Sequence, residues 1–353
     1  SPAQRNFYFE SIDAPGLLTM VTRAVATDAT GHVYIGTNDG FFRYNGYVFT
    51  KYPVTGSDSL TCPIHNVRAL HYDGKFIWVG GVEGIAKLDP SSNSFTYFKP
   101  DEKAVLGGHH PVVNGIVQID NNLYLGTYQG FTILNIATGN RKEISLPAGV
   151  KSRYTYGFCK DSKGRIWAGT LNAGLNVYDK KTGAFRRIMH QPNDPLSLSG
   201  NRMRSSTVEL ADGRILALPE NGGLNIISLP VDYFQKDIPA QITKLELPGH
   251  ETAYGIGKDN KGNIWVGCTD KKIYLLNASG LQFKMLCDGE TFMPAIAEAG
   301  NKLWCNRDVL KMDTIVYRPV DSAFRILPGA FNRDESGQLS IGSFGTPPLN
   351  AAH

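Results

Sequence analysis

The stretch Tyr156–Asp179 reads YGFCKDSKGRIWAGTLNAGLNVYD. Two apolar runs of strand length, Tyr156 to Lys160 and Ile166 to Thr170, are separated by Asp161-Ser162-Lys163-Gly164. Asp in such a turn accepts backbone hydrogen bonds and Gly supplies a positive φ, so the segment reads as a tight hairpin. Gly169-Thr170 and Gly174-Leu175 then bracket a short loop, and a third strand ends at Tyr178-Asp179. A fourth follows around Phe185, in the position also held by Phe49 and Phe95.

The same pattern recurs along the whole chain. Trp78, Trp167, Trp265 and Trp304 each follow an apolar residue, and Tyr34 and Tyr124 hold the same place in two further copies. Aligning two residues past the aromatic gives Gly36, Gly80, Gly126, Gly169, Leu218, Gly267, Asn306 and Gly342, with steps of 44, 46, 43, 49, 49, 39 and 36 residues. Those steps match a four-stranded propeller blade. The expected fold is an all-β, single-domain β-propeller of seven or eight blades over residues 1–353. Its units fall near 17–52, 60–98, 106–145, 150–188, 197–245, 250–286, 290–327 and 328–353. Phe7-Tyr8-Phe9-Glu10 alternates like a strand but has no first or second strand before it. It is expected to join the 328–353 unit as a clasp that closes the ring.

The repeated Asp and Gly residues have local turns to make, and the aromatic series is expected to pack between neighbouring sheets. The turn recurs as Asp28 to Gly31, Asp259 to Gly262 and Asp334 to Gly337, with Gly213 in a looser copy.

Composition excludes several classes. The chain is 42% hydrophobic and 19% charged, which suits a folded domain. A net charge of +4 is too mild for a dedicated nucleic-acid binder; basic pairs such as Arg186-Arg187 read first as solvated faces, the other reading being a basic rim that attracts an anionic ligand. No run reaches the ~18–20 apolar residues of a membrane helix, so membrane association is expected only through segments outside this sequence. The start, Ser1-Pro2-Ala3-Gln4, has no basic and apolar leader, which fits a cytosolic protein or one whose signal peptide has been removed. Five cysteines make no disulfide framework, and no Cys or His pair has zinc-like spacing. Cys159, Cys268 and Cys305 are expected to be buried free thiols. No metal and no cofactor is expected.

The unit Asp-x-x-Gly-x-Ile-Trp-x-Gly-Thr-x-x-x-Gly-Leu-x-x-Tyr-Asp at 161–179 resembles the regulator-propeller repeat of the periplasmic sensor regions of Bacteroidetes hybrid two-component systems. Pro192-Asn193-Asp194-Pro195-Leu196-Ser197-Leu198-Ser199-Gly200-Asn201 is similar to that family's loop before the innermost strand, and Ser57 to Leu60 through His65-Asn66-Val67 is a second copy. Phe9-Glu10-Ser11 through Gly16-Leu17, followed by Tyr44-Asn45-Gly46-Tyr47, resembles the start of such sensors. The resemblance implies an extracytoplasmic, ligand-sensing module without an activity of its own, joined in the whole protein to a membrane span and a histidine kinase. It implies an oligosaccharide ligand, and as partners the downstream domains or a second copy of the same protein.

In a propeller the innermost strand begins on the face that also carries the loop between the second and third strands, and this rim surrounds the channel mouth. Counting back 12 to 15 residues from each reference position gives Arg23, Asn66, Arg68, Asn114, Tyr154, Tyr156, Arg204 and Tyr254 as candidate ligand contacts, with Met293 in the same series. Tyrosine rings stack on sugars, and Arg and Asn donate to hydroxyls or carboxylates, so an anionic oligosaccharide also fits. The competing explanation is that polar residues at a channel mouth simply face water. Asn38, Asp39, Glu83, Gln129, Asn172 and Asn221 are second-choice contacts. An alternative is a propeller glycoside hydrolase or polysaccharide lyase, which needs paired carboxylates or a group that exchanges protons. Glu83, Glu220, Asp270, His65 and His109-His110 supply the residue types but no motif. A third possibility is a scaffold whose rim binds protein.

Overall fold

In the computed structural model, residues 22–54, 58–99, 112–127, 130–145, 155–203, 207–220, 222–250, 252–259, 262–268, 272–277 and 282–288 are described. So are the strands 7–12, 293–299, 302–306, 314–319, 332–333 and 339–340; in these, and at 254, 277 and 286–288, only the backbone is described.

The chain start forms β1 (Phe7–Ile12). Blade 1 holds β2 (Thr22–Thr27), β3 (Val33–Thr37), β4 (Gly40–Tyr44) and β5 (Phe49–Lys51). Blade 2 holds β6 (Val67–Tyr72), β7 (Ile77–Gly81), β8 (Gly84–Asp89) and β9 (Ser94–Phe98). Blade 3 holds β10 (Gly115–Ile119), β11 (Asn122–Thr127), β12 (Gly130–Asn135) and β13 (Arg141–Ser145). Blade 4 holds β14 (Thr155–Lys160), β15 (Ile166–Thr170), β16 (Leu175–Asp179) and β17 (Ala184–Ile188). Blade 5 holds β18 (Thr207–Glu209), β19 (Ile215–Ala217), β20 (Leu224–Ser228) and β21 (Gln241–Leu245). Blade 6 holds β22 (Ala253–Lys258), β23 (Ile264–Cys268), β24 (Lys272–Asn277) and β25 (Gln282–Asp288). Every blade is an antiparallel meander in chain order.

Six blades are thus built from four consecutive strands, and this count corrects the expectation of seven or eight such blades. The reason lies in the strands beyond residue 288. Among the described residues, strands β26 (Met293–Ala299), β27 (Lys302–Asn306) and β28 (Thr314–Pro319) have no consecutive fourth partner, and β1 pairs with β28 instead, from Phe7 opposite Pro319 to Ile12 opposite Thr314. The resulting sheet, ordered β1-β28-β27-β26, is of mixed origin, and β26 contacts the inner strands β2 and β22 of blades 1 and 6. The clasp therefore exists one unit earlier than expected. Within the 328–353 unit the described residues form only a two-stranded ladder, β29 (Asn332–Arg333) with β30 (Leu339–Ser340), which does not pair with β1.

The core sits between blades. One cluster joins Tyr34 and Phe41 of blade 1 to Ile77 and Val79 of blade 2. A second joins Trp78 to Leu123 and Leu125 of blade 3. The pattern continues with Tyr124 against Ile166 and Tyr178 of blade 4, and with Trp167 against Ile215 and Ile227 of blade 5. Trp78 and Trp167 are fully buried and Trp265 is 1% exposed, so these indoles are packing residues, as expected. Trp304 lies among the residues whose side chains are not described.

The reference glycines have a specific steric duty. A Cβ on Gly36 would lie 2.4 Å from Val67 Cγ1, and one on Gly80 would lie 2.7 Å from Val113 Cγ1. On Gly169 it would lie 2.7 Å from Met203 Cβ. In each case the obstacle is the chain entering the next blade's inner strand, so the missing side chain lets adjacent blades close together at the rim. Backbone bonds fasten the same joints: Val113 N donates to Gly81 O at 2.9 Å and Met203 N to Thr170 O at 2.8 Å.

Candidate functional site

Three inner strands enter their blades with the same irregularity. In β2 the register passes from Thr22 opposite Thr37 to Ala24 opposite Gly36, leaving Arg23 as an extra residue. In β6 it passes from Val67 opposite Gly81 to Ala69 opposite Gly80, leaving Arg68. In β22 it passes from Ala253 opposite Cys268 to Gly255 opposite Gly267, leaving Tyr254. Each is a β-bulge at the same step of the repeat, and bulges re-aim the side chain of the unpaired residue. Three of the residues picked from the sequence thus sit at single-residue bulges. In β14 the irregularity lies one step deeper, at Gly157 and Phe158, so Tyr156 stays paired with Gly169.

Neighbouring inner strands bring Arg68 and Asn114 together. The Arg68 guanidinium donates through Nη1 to Asn114 Oδ1 at 3.0 Å, from blade 2 to blade 3. Further along the same two strands, His71 Nε2 and Gln118 Oε1 meet at 2.8 Å. Asn66 is held next to Arg68 because its carbonyl accepts from Val82 N at 3.2 Å. A Cβ on Gly81 would lie 2.1 Å from that oxygen, so only glycine fits opposite it.

Charge is concentrated here. The exposed Arg23 guanidinium is held below its ordinary value, first by the desolvation of its inner part and then by the positive charge of Arg68, while Tyr156 acts in the opposite sense. It remains cationic at neutral pH because arginine starts so high. Three polar atoms of this group, Asn66 Oδ1, Arg68 Nε and Asn114 Nδ2, are sealed from solvent without a hydrogen-bond partner. An unmet buried polar group costs roughly 1–3 kcal/mol, so they stand out in a fold whose buried polar atoms are mostly paired.

The remaining candidates separate. Tyr154, Arg204, Gln129, Asn221, Asp270, His109 and His110 lie outside the described residues. Of Tyr254 and Met293 only the backbone is described. Asn38 and Asn172 are exposed on the rim, and Asp39 pairs with Lys51 at 3.0 Å. Glu83 is engaged by His65, through its backbone N at 3.1 Å and its ring Nδ1 at 3.3 Å. Glu220 pairs with Arg202 Nε at 3.0 Å. Among the described residues no three His, Cys, Asp or Glu side chains gather as a metal site would require.

The sequence reading missed the bulges. Their only trace is Arg or Tyr at a step where the strand pattern calls for a small or apolar residue, which periodicity alone does not distinguish from a rim residue.

Residues 149–172 match the family described as two component regulator propeller. Among curated proteins none matches by sequence. Among solved structures, the chain resembles the extracellular domain of a putative one component system from B. thetaiotaomicron, with a TM-score of 0.65 and 16% identity. That match covers 87% of this chain and 39% of the other, so the chain spans well under half the length of that domain. Virginiamycin B lyase from Staphylococcus aureus superposes with a TM-score of 0.62 at 13% identity, over 89% of this chain and 100% of the lyase. YCF48 from Cyanidioschyzon merolae gives 0.64 at 11% identity, over 88% and 98%. At these identities the structural likeness is one of fold, and the regulator-propeller motif is the more specific signal.

Proposed function

We propose that this chain is the ligand-sensing propeller of an extracytoplasmic signalling receptor, and that it recognises an oligosaccharide at the channel mouth without transforming it. The observation that carries the reading is the repeated bulge, which falls on Arg23, Arg68 and Tyr254 at one step of three inner strands. Asn66, Asn114 and the half-buried Tyr156 accompany them. A rim of guanidinium, amide and phenol groups is suited to hydroxyl-rich ligands, which need convergent hydrogen bonds and an aromatic face.

Binding without catalysis is supported by the state of the described acids. Glu83 and Glu220 are each engaged by a neighbouring basic side chain, whereas paired-carboxylate hydrolysis needs two carboxyl groups free to act on one bond. The regulator-propeller motif at 149–172 and the extracellular domain with the same fold support placement outside the cytoplasm. Signalling then follows if ligand favours one arrangement of this propeller with the rest of the receptor or a second copy, which requires different affinities for the two arrangements. Calorimetric titration with a glycan panel tests the reading: a saturable binder weakened about tenfold or more by Tyr156→Ala is expected. No binder, or release of reducing ends or unsaturated products from a polysaccharide, overturns it.

A further inference from the structure

The group of Arg23, Asn66, Arg68 and Asn114 carries more positive charge and more unmet polarity than neutral hydroxyls require. Arg23 and Arg68 come from equivalent bulges on adjacent inner strands, and two like charges so placed are kept together only by the fold. Arg68 spends Nη1 on Asn114 and leaves Nε unpartnered. Because Asn114 accepts through Oδ1, its amide nitrogen remains a donor without an acceptor. Asn66 Oδ1 beside them is an acceptor without a donor. Guanidinium Nε with the Asn114 amide makes a donor pair, and Asn66 suits a hydroxyl.

We propose that Arg68, with Arg23 beside it and Asn66 and Asn114 flanking, forms an oxyanion subsite that selects acidic over neutral sugars. This rests on the channel mouth being the ligand site, and it names the ligand's chemical class. The oxyanion draws the Arg68 guanidinium from its closed contact toward the mouth, takes its Nε in a charge-assisted bond, and is held by Arg23 on the other side. That movement uncovers Asn114 Nδ2, which donates to the same group or to the ring oxygen next to it, and Asn66 Oδ1, which accepts from the neighbouring hydroxyl. Guanidinium planes suit carboxylate and sulfate oxygens equally, so a uronate and a sulfated sugar share this chemistry.

Calorimetry on the intact chain separates the cases, using trigalacturonate, its carboxyl-reduced neutral counterpart and a sulfated galactose trisaccharide as probes, within a wider panel of uronate and sulfated oligosaccharides. An acidic probe is expected to bind at least tenfold more tightly than the neutral one. R68Q is expected to abolish that preference, R68K to restore part of it, and R23Q to lower the salt dependence of binding with no change in Tm. The identity of the better acidic probe tells carboxylate from sulfate. If the neutral and acidic probes bind equally, or R68Q keeps the preference, the oxyanion subsite is wrong while the sensing function stands. If no acidic sugar of the panel binds but a neutral glycan does, the outcome is the same. If nothing in either class binds, both fall.

Discussion

The indole Nε1 of Trp167 donates to Asp161 Oδ2 at 2.8 Å, so the turn aspartate and the core tryptophan of one hairpin are a single unit. Trp78 meets Asp73 at 2.7 Å, Trp265 meets Asp259 at 3.1 Å, and Tyr34 reaches Asp28 through its hydroxyl at 3.0 Å. Asp161 also accepts from the backbone of Lys163 and Arg165 and from Arg165 Nε at 2.6 Å. One carboxylate thus sets the turn and satisfies a polar atom that the core would otherwise strand. Asp161→Ala should cost about 2–3 kcal/mol in urea unfolding, since it leaves a buried indole N–H and a guanidinium unmet. Trp167→Phe in the Asp161→Ala background should cost less than in the wild type, because the acceptor is already gone.

The same arrangement makes stability depend on acidity. Burial alone would raise the Asp28 carboxyl, but hydrogen bonds from Thr30, Tyr34 and the backbone of His32 and Thr30 outweigh it and hold the group below its ordinary value. A carboxylate depressed on folding stabilises the fold fully above its unfolded value, near 3.8, and that contribution is lost as pH falls through the lower folded value. Acid unfolding of the wild type and of Asp28→Asn checks this. The wild type should be the more stable at pH 6, with the gap closing below about pH 4. A gap that widens on acidification would refute it.

How much of this was legible in the residues depends on which interactions are local. Asp161, Gly164, Trp167 and Gly174 interact within about 13 residues of one another, so the hairpin and its loops were readable from spacing. Thr170 Oγ1 on Gly174 O at 2.8 Å gives the recurring Gly-Thr its meaning, a hydroxyl that closes the loop between second and third strands. Blade number was not readable in this way. Three strands after residue 288 resemble every other unit until one asks where the fourth comes from, and that answer, β1, lies some 300 residues away. The Arg68 and Asn114 contact is likewise invisible to spacing, because it spans two blades and depends on a bulge.

Blade closure offers a sharper test of the repeat's glycines than simple conformational freedom does. Gly36 needs no side chain because Val67 of the next blade occupies the space. Gly36→Ala should destabilise by roughly 1–3 kcal/mol through overpacking. Val67→Ala removes the obstructing methyls, so the double substitution should cost clearly less than the sum of the two single changes. Additivity within about 0.5 kcal/mol would mean that the two residues do not meet.

Thiol chemistry reports on the same interfaces. Burial pushes the Cys62 thiol up to about 12, with the Ile64 carbonyl contact acting against that rise. Cys159 is also raised to about 12 by burial, although it keeps some exposure where full burial was expected. Cys268 is buried, and Cys305 lies among the residues whose side chains are not described. Thiolate is the reactive form, so Cys62 and Cys159 should resist iodoacetamide at pH 8 in the folded protein and react fully in denaturant, as read by site-resolved mass spectrometry. Rapid native labelling of Cys62 would show that the joint between blades 1 and 2 opens readily.

The composite sheet is the place where β1 holds β28, some 300 residues later in the sequence, and its register specifies how to break it. β1 covers the outer edge of β28 along six residue pairs, and without it β28 would present an unpaired edge to solvent. Removal of residues 1–12 should therefore lower Tm and increase association at micromolar concentration. Ile315→Pro should act in the same direction, because proline takes a donor from the ladder between Ser11 and Cys305. A peptide of residues 1–12 added to the shortened chain should recover part of the lost Tm in a concentration-dependent way, since it binds the folded form. A shortened chain with unchanged Tm, monomeric and indifferent to the peptide, would show that the ring closes without its first strand.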